Sequence, residues 1–516
     1  MKPIRLMAGF FTVGLWTLLS RVFGFIRDIM IAAFLGTGPV AEAFLIAFSL
    51  PNMFRRFFAE GAFNTAFVPM FSKKVQADDD ALRFAQDAFV GMAFILTVFT
   101  TIGVLAMPAL VTAMASGFAA DERFDLAVTY GRIAFPYILL ISLSALLSGV
   151  LNATGRFVAA AAAPVLLNVI FIIALVVTAL VMDPSEMTIG NSLAWAVPIG
   201  GAAQLALVWL AARRAGYQLR IGLPKMTPDL KRLAMIALPA ALAGGVMQIN
   251  LLVGRQVASF FDGAIAWINY ADRLYQLPLG VVAIAIGVVL LPDLSRRLQD
   301  GDDAGGRDAF NRASELALAL TVPAAVALIV IPVPLVSVLF ERGAFSSDDT
   351  MATALAVTVY GLGLPAFVLA KTFQPLFFAR SDTKRPFYYA LAAMVLNAVL
   401  AIGLSFYIGF IAAPLGTTLT AWAMVAMLWN GSRNMGDAAK FDQRFKTRIW
   451  RILIASGLMG VLLMLAEMVL SPFIGMATVR YLALIALIAV GIVGYFGTGH
   501  LVGAFRLGEF KRALRR

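Results

Sequence analysis

With 516 residues, 61% of them hydrophobic, 14% charged and a mean hydropathy of +0.87, the chain carries too little charge for a water-soluble globule, in which about a quarter of residues are charged. It reads as an all-α polytopic membrane protein. Zero cysteine excludes disulfides, thiolate metal sites and thiol catalysis; a lone histidine, His500, leaves little for zinc or imidazole chemistry, so no metal, cofactor or enzymatic activity is expected.

At about 20 apolar residues per crossing, fourteen transmembrane spans can be drawn, at roughly 7–35, 41–71, 84–115, 124–152, 157–182, 189–212, 229–260, 266–294, 313–340, 351–378, 386–409, 412–432, 450–471 and 479–505. The first run has no small-residue cleavage site and leads straight into Arg21 and Arg27, so it reads as a retained helix rather than a signal peptide. With the N-terminus inside, thirty of the 41 basic residues fall in cytoplasmic segments, and only Arg123, Arg342 and Arg480 fall outside. That asymmetry follows the positive-inside rule, so the net charge of +12 reports topology and not nucleic acid, and it predicts both termini in the cytoplasm. Eight basic residues remain inside spans: Arg21, Arg27, Arg55, Arg56, Arg132, Arg255, Arg273 and Lys371.

The chain also repeats. Pro69 to Lys74 resembles Pro292 to Arg297, and Pro136, Arg156 and Asn168 return as Pro365, Arg385 and Asn397, each displaced by 229. Two pseudo-symmetric six-helix lobes are expected, an N-lobe at 1–225 (spans 1–6) and a C-lobe at 226–445 (spans 7–12), followed by an added pair of helices and a basic tail at 446–516. A parallel duplication of this kind predicts a site at the interface of the lobes and alternating access. Prolines 323, 332, 334 and 365 read either as hinges or as packing kinks.

A cation in a bilayer costs several kcal/mol unless it is paired or faces water, which makes the intramembrane arginines the first candidates for function. Gly14, Arg21 and Asp28 fall on one stripe of the first helix, with Gly24 beside it and Arg27 about a third of a turn away. In the second span Arg56 and Glu60 stand four apart and pair locally, whereas Arg55 has no sequence-local acid. The eighth span holds Tyr270-Ala271-Asp272-Arg273. Neighbours on a helix point about 100° apart, which weighs against Arg27 being tied up by Asp28 and Arg273 by Asp272. Guanidinium forks take phosphate oxygens two at a time and stay charged, so this set suits a diphosphate.

Other features have ordinary explanations. Asp78-Asp79-Asp80 reads as a solvated turn beside Lys73 and Lys74, and Gly301 to Gly306 lacks both a preceding strand and the Gly-Lys of a nucleotide loop. Arg132 is placed to snorkel near the outer end of its span, and Glu467 and His500 read as isolated polar positions rather than a proton-linked pair. No role is assigned to Arg255 or Lys371.

Four stretches carry a resemblance: Ser20-Arg21-Val22-x-Gly24-x-x-Arg27-Asp28; Leu50-Pro51-Asn52-x-x-Arg55-Arg56-x-x-Ala59-Glu60-Gly61-Ala62-Phe63; Phe135-Pro136-Tyr137-Ile138-Leu139-Leu140; and Tyr270-Ala271-Asp272-Arg273. Together they resemble the MurJ (MviN) family of bacterial lipid II flippases, over essentially the whole chain. The resemblance implies the two-lobed fold of the multidrug/oligosaccharidyl-lipid/polysaccharide exporter superfamily, with the last two helices forming a groove for a polyprenyl tail. It implies lipid II as substrate, undecaprenyl diphosphate bearing the disaccharide-pentapeptide of peptidoglycan, moved from the cytoplasmic to the outer leaflet of the inner membrane. It also implies substrate-binding roles for Arg21, Arg27, Arg55 and Arg273, gate roles for Ser20, Asp28 and Glu60, and accessory roles for Arg56, Glu42, Asn52 and Asp272. Glu42 stands where the family has an acidic residue after the first helix. Gln248 and Asn250 are all the seventh span offers in place of a sodium-binding aspartate, so no sodium site is expected.

The mechanism expected is a flippase driven by membrane potential, in which the diphosphate cancels arginine repulsion and Asp28 and Glu60 latch to the freed arginines after release. Surrounding membrane lipids, a monomer and contacts with cell-wall synthesis proteins complete the expectation. The alternatives are an oligosaccharide-lipid, polysaccharide or drug exporter of the same superfamily, or a non-transporting scaffold. A cation exporter calls for central carboxylates, and a lipid-processing enzyme for paired acids or a metal site.

Overall fold

In the computed structural model the described residues are 6–55, 62–77, 79–181, 185–220 and 222–505, and they form helices with no strand among them. In chain order these are α1 (Leu6–Leu35), α2 (Pro39–Arg55), α3 (Ala62–Ala77), α4 (Ala81–Leu105), α5 (Met107–Met114), α6 (Glu122–Ala134), α7 (Tyr137–Ala153), α8 (Val158–Val181), α9 (Glu186–Arg214), α10 (Pro228–Ala258), α11 (Ala264–Gln299), α12 (Asp303–Val330), α13 (Pro332–Phe340), α14 (Ser347–Phe378), α15 (Lys384–Ile408), α16 (Ala412–Ser432), α17 (Gln443–Ile474) and α18 (Arg480–Leu501). Each apolar span drawn from the sequence coincides with one helix or with two in series. By length and composition alone, nine helical stretches among the described residues are sufficient to cross a membrane.

Among the described residues three spans are interrupted, each for a visible cause. Proline has no N–H and is tolerated in a first turn, so the span at 313–340 ends as α12 and restarts at Pro332 as α13. Pro108 likewise lies in the first turn of α5, just after α4 ends. At Phe135-Pro136 the backbone stays helical (φ −60°, ψ −34° and φ −56°, ψ −17°), so α6 and α7 meet at a proline kink and not a loop. Pro365, its repeat counterpart, lies inside the continuous α14, as Pro323 lies inside α12. Polar residues start the helices that follow loops: the side chains of Asp121, Ser185, Thr227, Asp302 and Asp442 cap α6, α9, α10, α12 and α17, and Ser346 with Asp349 forms a capping box on α14.

The chain divides into two compact units, Met1–Ala266 with Arg342–Phe345, and Trp267–Glu341 with Ser346–Arg516. This differs from the division at residue 226 drawn from the repeat: α10 packs on α3, α4 and α5 and so belongs to the first unit. Inside that unit α1 lies on α8, α8 on α9, and α2 on α6, around buried Phe44, Phe67, Phe71, Phe135, Tyr137 and Phe171. The turn after α1 receives the segment 342–345, where Ala344 N–H donates to Ala33 C=O at 2.8 Å. Gly36 and Gly343 both have a φ of +59°, and a Cβ on either would stand 2.4 or 2.1 Å from a backbone oxygen, so no other residue fits.

The second unit has two apolar centres. Phe310, Phe373, Leu376, Phe377 and Leu428 join α12, α14 and α16, while Leu318, Val322, Phe445, Ile452, Met459, Leu463, Leu487 and Tyr495 fasten α17 and α18 onto α12. Tyr495 adds a hydrogen bond to the Ala319 carbonyl at 2.6 Å. The C-terminal pair, placed apart at 446–516 on repeat grounds, is therefore built into this unit by burial. α8 packs on α9 in the first unit and α15 on α16 in the second, and Asn168 and Asn397 are both buried.

Candidate functional site

Of the expected substrate-binding arginines, Arg27 is the one that is buried. Arg27 on α1 is only 7% exposed and Asp28 beside it 5%. Its Nε and Nη2 donate to Asp28 Oδ1 at 3.0 and 2.7 Å, and Nη1 donates to Asn168 Oδ1 on α8 at 2.9 Å. The rings of Phe48 and Phe171 stand 5.7 and 5.3 Å from the guanidinium carbon and 5.4 Å from each other, adding cation–π attraction in a site with little water. The divergence of about 100° between helix neighbours weighs against such a pair, yet Arg27 and Asp28 do pair. Arginine has a stem long enough to turn its head back alongside the helix, and burial removes the water that would otherwise compete.

Asn168 was visible in the sequence only as a repeat marker, yet it joins the cluster's parts. Its Nδ2 donates to the Ser20 carbonyl at 3.0 Å and to the Pro164 carbonyl at 3.3 Å. Ser20, the expected gate residue, is half-buried and engaged through its backbone, whereas Arg21 is exposed. Gly24 faces the same amide; a Cβ there would lie 3.4 Å from Asn168 Nδ2.

The remaining expected residues are spread more widely. Asn52 and Arg55 are half-buried in the last turns of α2, and Asn52 Nδ2 bonds the Phe48 carbonyl of its own helix at 2.8 Å. Arg56 and Glu60 lie outside the described residues, as do the side chains of Gln248 and Asn250. In the second unit Arg273 is half-buried on α11, while Asp272 accepts a hydrogen bond from Gln276 one turn further on. Tyr275 stacks on Tyr360 at 4.6 Å and on Phe367 at 5.6 Å beside them. Arg132 and Lys371 are exposed and Arg255 is half-buried. Among the described residues no group of three or more His, Cys, Asp or Glu is gathered to hold a metal ion.

Glu42 serves a different centre. It is 1% exposed in the first turn of α2, where Oε2 accepts from Arg123 Nη1 at 2.8 Å and Oε1 from the Ile265 N–H at 3.0 Å. Arg123 also binds Asp121 through Nε and Nη2 at 2.9 and 2.6 Å and Asp262 at 3.0 Å, and it lies over the Phe118 ring. The hydrogen bond from Arg123 holds the Asp121 carboxyl below the usual carboxylate range. Three carboxylates thus converge on one guanidinium, from residues the sequence reading had counted only as an outer loop or as one accessory acid.

These networks sit in a helical frame that known proteins share. A family model described as lipid II flippase MurJ matches residues 31–487. The chain belongs to the MurJ family. Relatives described as probable lipid II flippase MurJ include those of Rhizobium tropici, 41% identical over 99% of this chain and 97% of that one, and Rhizobium meliloti, 43% identical over the same shares. A solved structure described as lipid II flippase MurJ in an inward closed conformation has the same fold, with a TM-score of 0.78 over 98% of this chain and 99% of that one at 24% identity. An inward-facing multidrug resistance transporter of the MATE family in the MOP superfamily matches at a TM-score of 0.68 over 81% and 95%, at 15% identity.

Proposed function

We propose that this MurJ-family chain is a lipid II flippase of the bacterial inner membrane, carrying the undecaprenyl-diphosphate-linked peptidoglycan precursor from the cytoplasmic to the outer leaflet by alternating access. The observation that supports it most is the Arg27 cluster. Among the described residues a fork-shaped cation on a membrane helix is held by a single carboxylate, an amide oxygen and two ring faces, and a diphosphate offers it more anionic oxygens than these do.

The donors of Arg27 that meet Asp28 are the ones a diphosphate needs, so substrate and Asp28 compete for the same edge of the guanidinium. An acceptor with several anionic oxygens can win that exchange, since charge-assisted bidentate bonds are the strong ones. Arg21, Arg55 and Arg273 supply further positive charge for the head group. When the substrate leaves, Asp28 returns to Arg27, which spares the bilayer an unpaired cation. Arg27 Nη2 and Asp28 Oδ1 stand 2.7 Å apart, the contact this reading assigns to the latch. Glu60 plays the equivalent part for the second span.

Net positive charge moving with the cycle couples it to membrane potential, at about 2.3 kcal/mol per charge per 100 mV. The exposed apolar faces of α17 and α18, including Met468, Val469, Leu482 and Val493, accommodate the polyprenyl tail. Both termini lie in the cytoplasm, and the protein works as a monomer in contact with cell-wall synthesis proteins.

The test is depletion of the protein while following labelled lipid-linked precursor across the membrane. Arg55→Ala and Arg273→Ala variants are expected to accumulate precursor inside while still reaching the membrane at normal levels. Normal export by both variants would refute the assignment.

A further inference from the structure

We propose that Asn168 is a positioning residue that couples the charge state of the Arg27 site to the bending of α1. One planar amide reads both: its oxygen accepts from Arg27 Nη1 and its nitrogen donates to the Ser20 carbonyl, at 2.9 and 3.0 Å. A guanidinium only donates and a carbonyl only accepts, so the two partners dictate which way the amide faces. Neither contact can be kept if the amide turns to follow the other partner. Rotating it toward a displaced Arg27 withdraws the N–H from Ser20, and releasing Ser20 leaves the oxygen misaligned.

The carbonyl it holds lies in the interior of α1, four residues before Gly24. Glycine in a helix interior and side-chain hydrogen bonds to the carbonyl ladder are both conditions under which helices bend. Gly24 faces the amide, and a Cβ there would meet its nitrogen at 3.4 Å, an ordinary contact. When an anion draws Arg27 off Asp28, the amide follows or lets go, and α1 loses this hydrogen bond to α8 about two turns away. Occupancy of the cation thereby becomes a movement of the helix that carries it. The inference rests on the reading of Arg27 as an anion-binding cation.

Because the chain has no cysteine, a single Val22→Cys substitution, at a position 47% exposed between Ser20 and Gly24, takes a spin label without background. The full-length protein in lipid nanodiscs, free of substrate, is compared with Arg27→Lys, Asn168→Leu and the double variant. Arg27→Lys keeps the charge against Asp28 but gives up the Nη1 contact. Each single variant is expected to raise the mobile fraction of this α1 label, and the double variant to raise it no further. Asn168→Asp, nearly isosteric, is expected to give the same rise while retaining an acceptor for Arg27, because it sets a carboxylate oxygen against the Ser20 carbonyl. A control label introduced by Val461→Cys on α17 is expected to stay unchanged in all of them.

Additive effects, an unchanged α1 label, or an equal change in the α17 label would overturn the coupling. Farnesyl diphosphate added to the wild-type background is expected to reproduce the rise. Non-additivity without that response would uphold the coupling while sinking the diphosphate reading.

Discussion

Two arginines in the first unit are buried to nearly the same degree, Arg27 at 7% and Arg123 at 5%, yet their surroundings differ in kind. Arg123 gathers Glu42, Asp121 and Asp262 from three separate stretches of chain. Its charge is more than matched, and the network ties α2, the start of α6 and the α10–α11 connection together. Among the described residues Arg27 has one carboxylate, its own neighbour in sequence, supplemented by an amide and two rings. Burial alone therefore does not distinguish a rivet from a working cation. What distinguishes them is whether the partners can be exchanged for a ligand without leaving a bare charge behind.

The comparison breaks most visibly at Arg123. Arg123→Ala leaves Glu42, 1% exposed, with backbone N–H donors such as that of Ile265 but no cation, and an uncompensated buried charge costs about 3–5 kcal/mol. Thermal unfolding in detergent should show a large drop in midpoint, with folded yield falling alongside transport. Gly117→Ala should follow at about 1–3 kcal/mol, because its Cβ would stand 2.4 Å from the Ser259 backbone oxygen, which cannot step aside as a side chain can. Gly24→Ala, next to the other centre, meets an amide at 3.4 Å and should change the midpoint far less.

Arg27→Lys sharpens the contrast from the other side. Charge balance with Asp28 survives, so the unfolding midpoint should move little, while loss of the fork removes a charge-assisted bond worth about 1.5–3 kcal/mol, roughly a tenfold to hundredfold loss of transport. Equal losses in stability and transport would erase the distinction between the two arginines.

The smallest effect is expected from pH at the Arg123 network. Asp121 has its carboxyl held below the ordinary value by Arg123, so its contribution is complete above the unfolded value of about 3.9 and is lost as pH falls through the lower folded value. Wild-type unfolding curves should show a slight acid-side loss that Asp121→Asn flattens.

Much of the fold was legible because hydropathy and loop charge report directly on helices that must satisfy their own backbone in lipid. Which compact unit α10 joins was not, since that depends on its packing against α3, α4 and α5 and on no feature of its own sequence. At the site, the arginines stood out by composition, but pairing did not. The Arg27–Asp28 bond defeats a rule based on Cβ directions because the arginine head lies far from its Cβ. Arg123 and Glu42 are 81 residues apart and carry no local signal, so Arg123 looked like a loop residue.

The central claim is that an anionic lipid head displaces Asp28 from Arg27, and binding of undecaprenyl diphosphate to the purified protein, followed by native mass spectrometry, tests it most directly. The account predicts that Arg27→Lys weakens binding and that Asp28→Asn, which removes the competing carboxylate, strengthens it. Binding that is unaltered in Arg27→Lys, or weakened in Asp28→Asn, would contradict it.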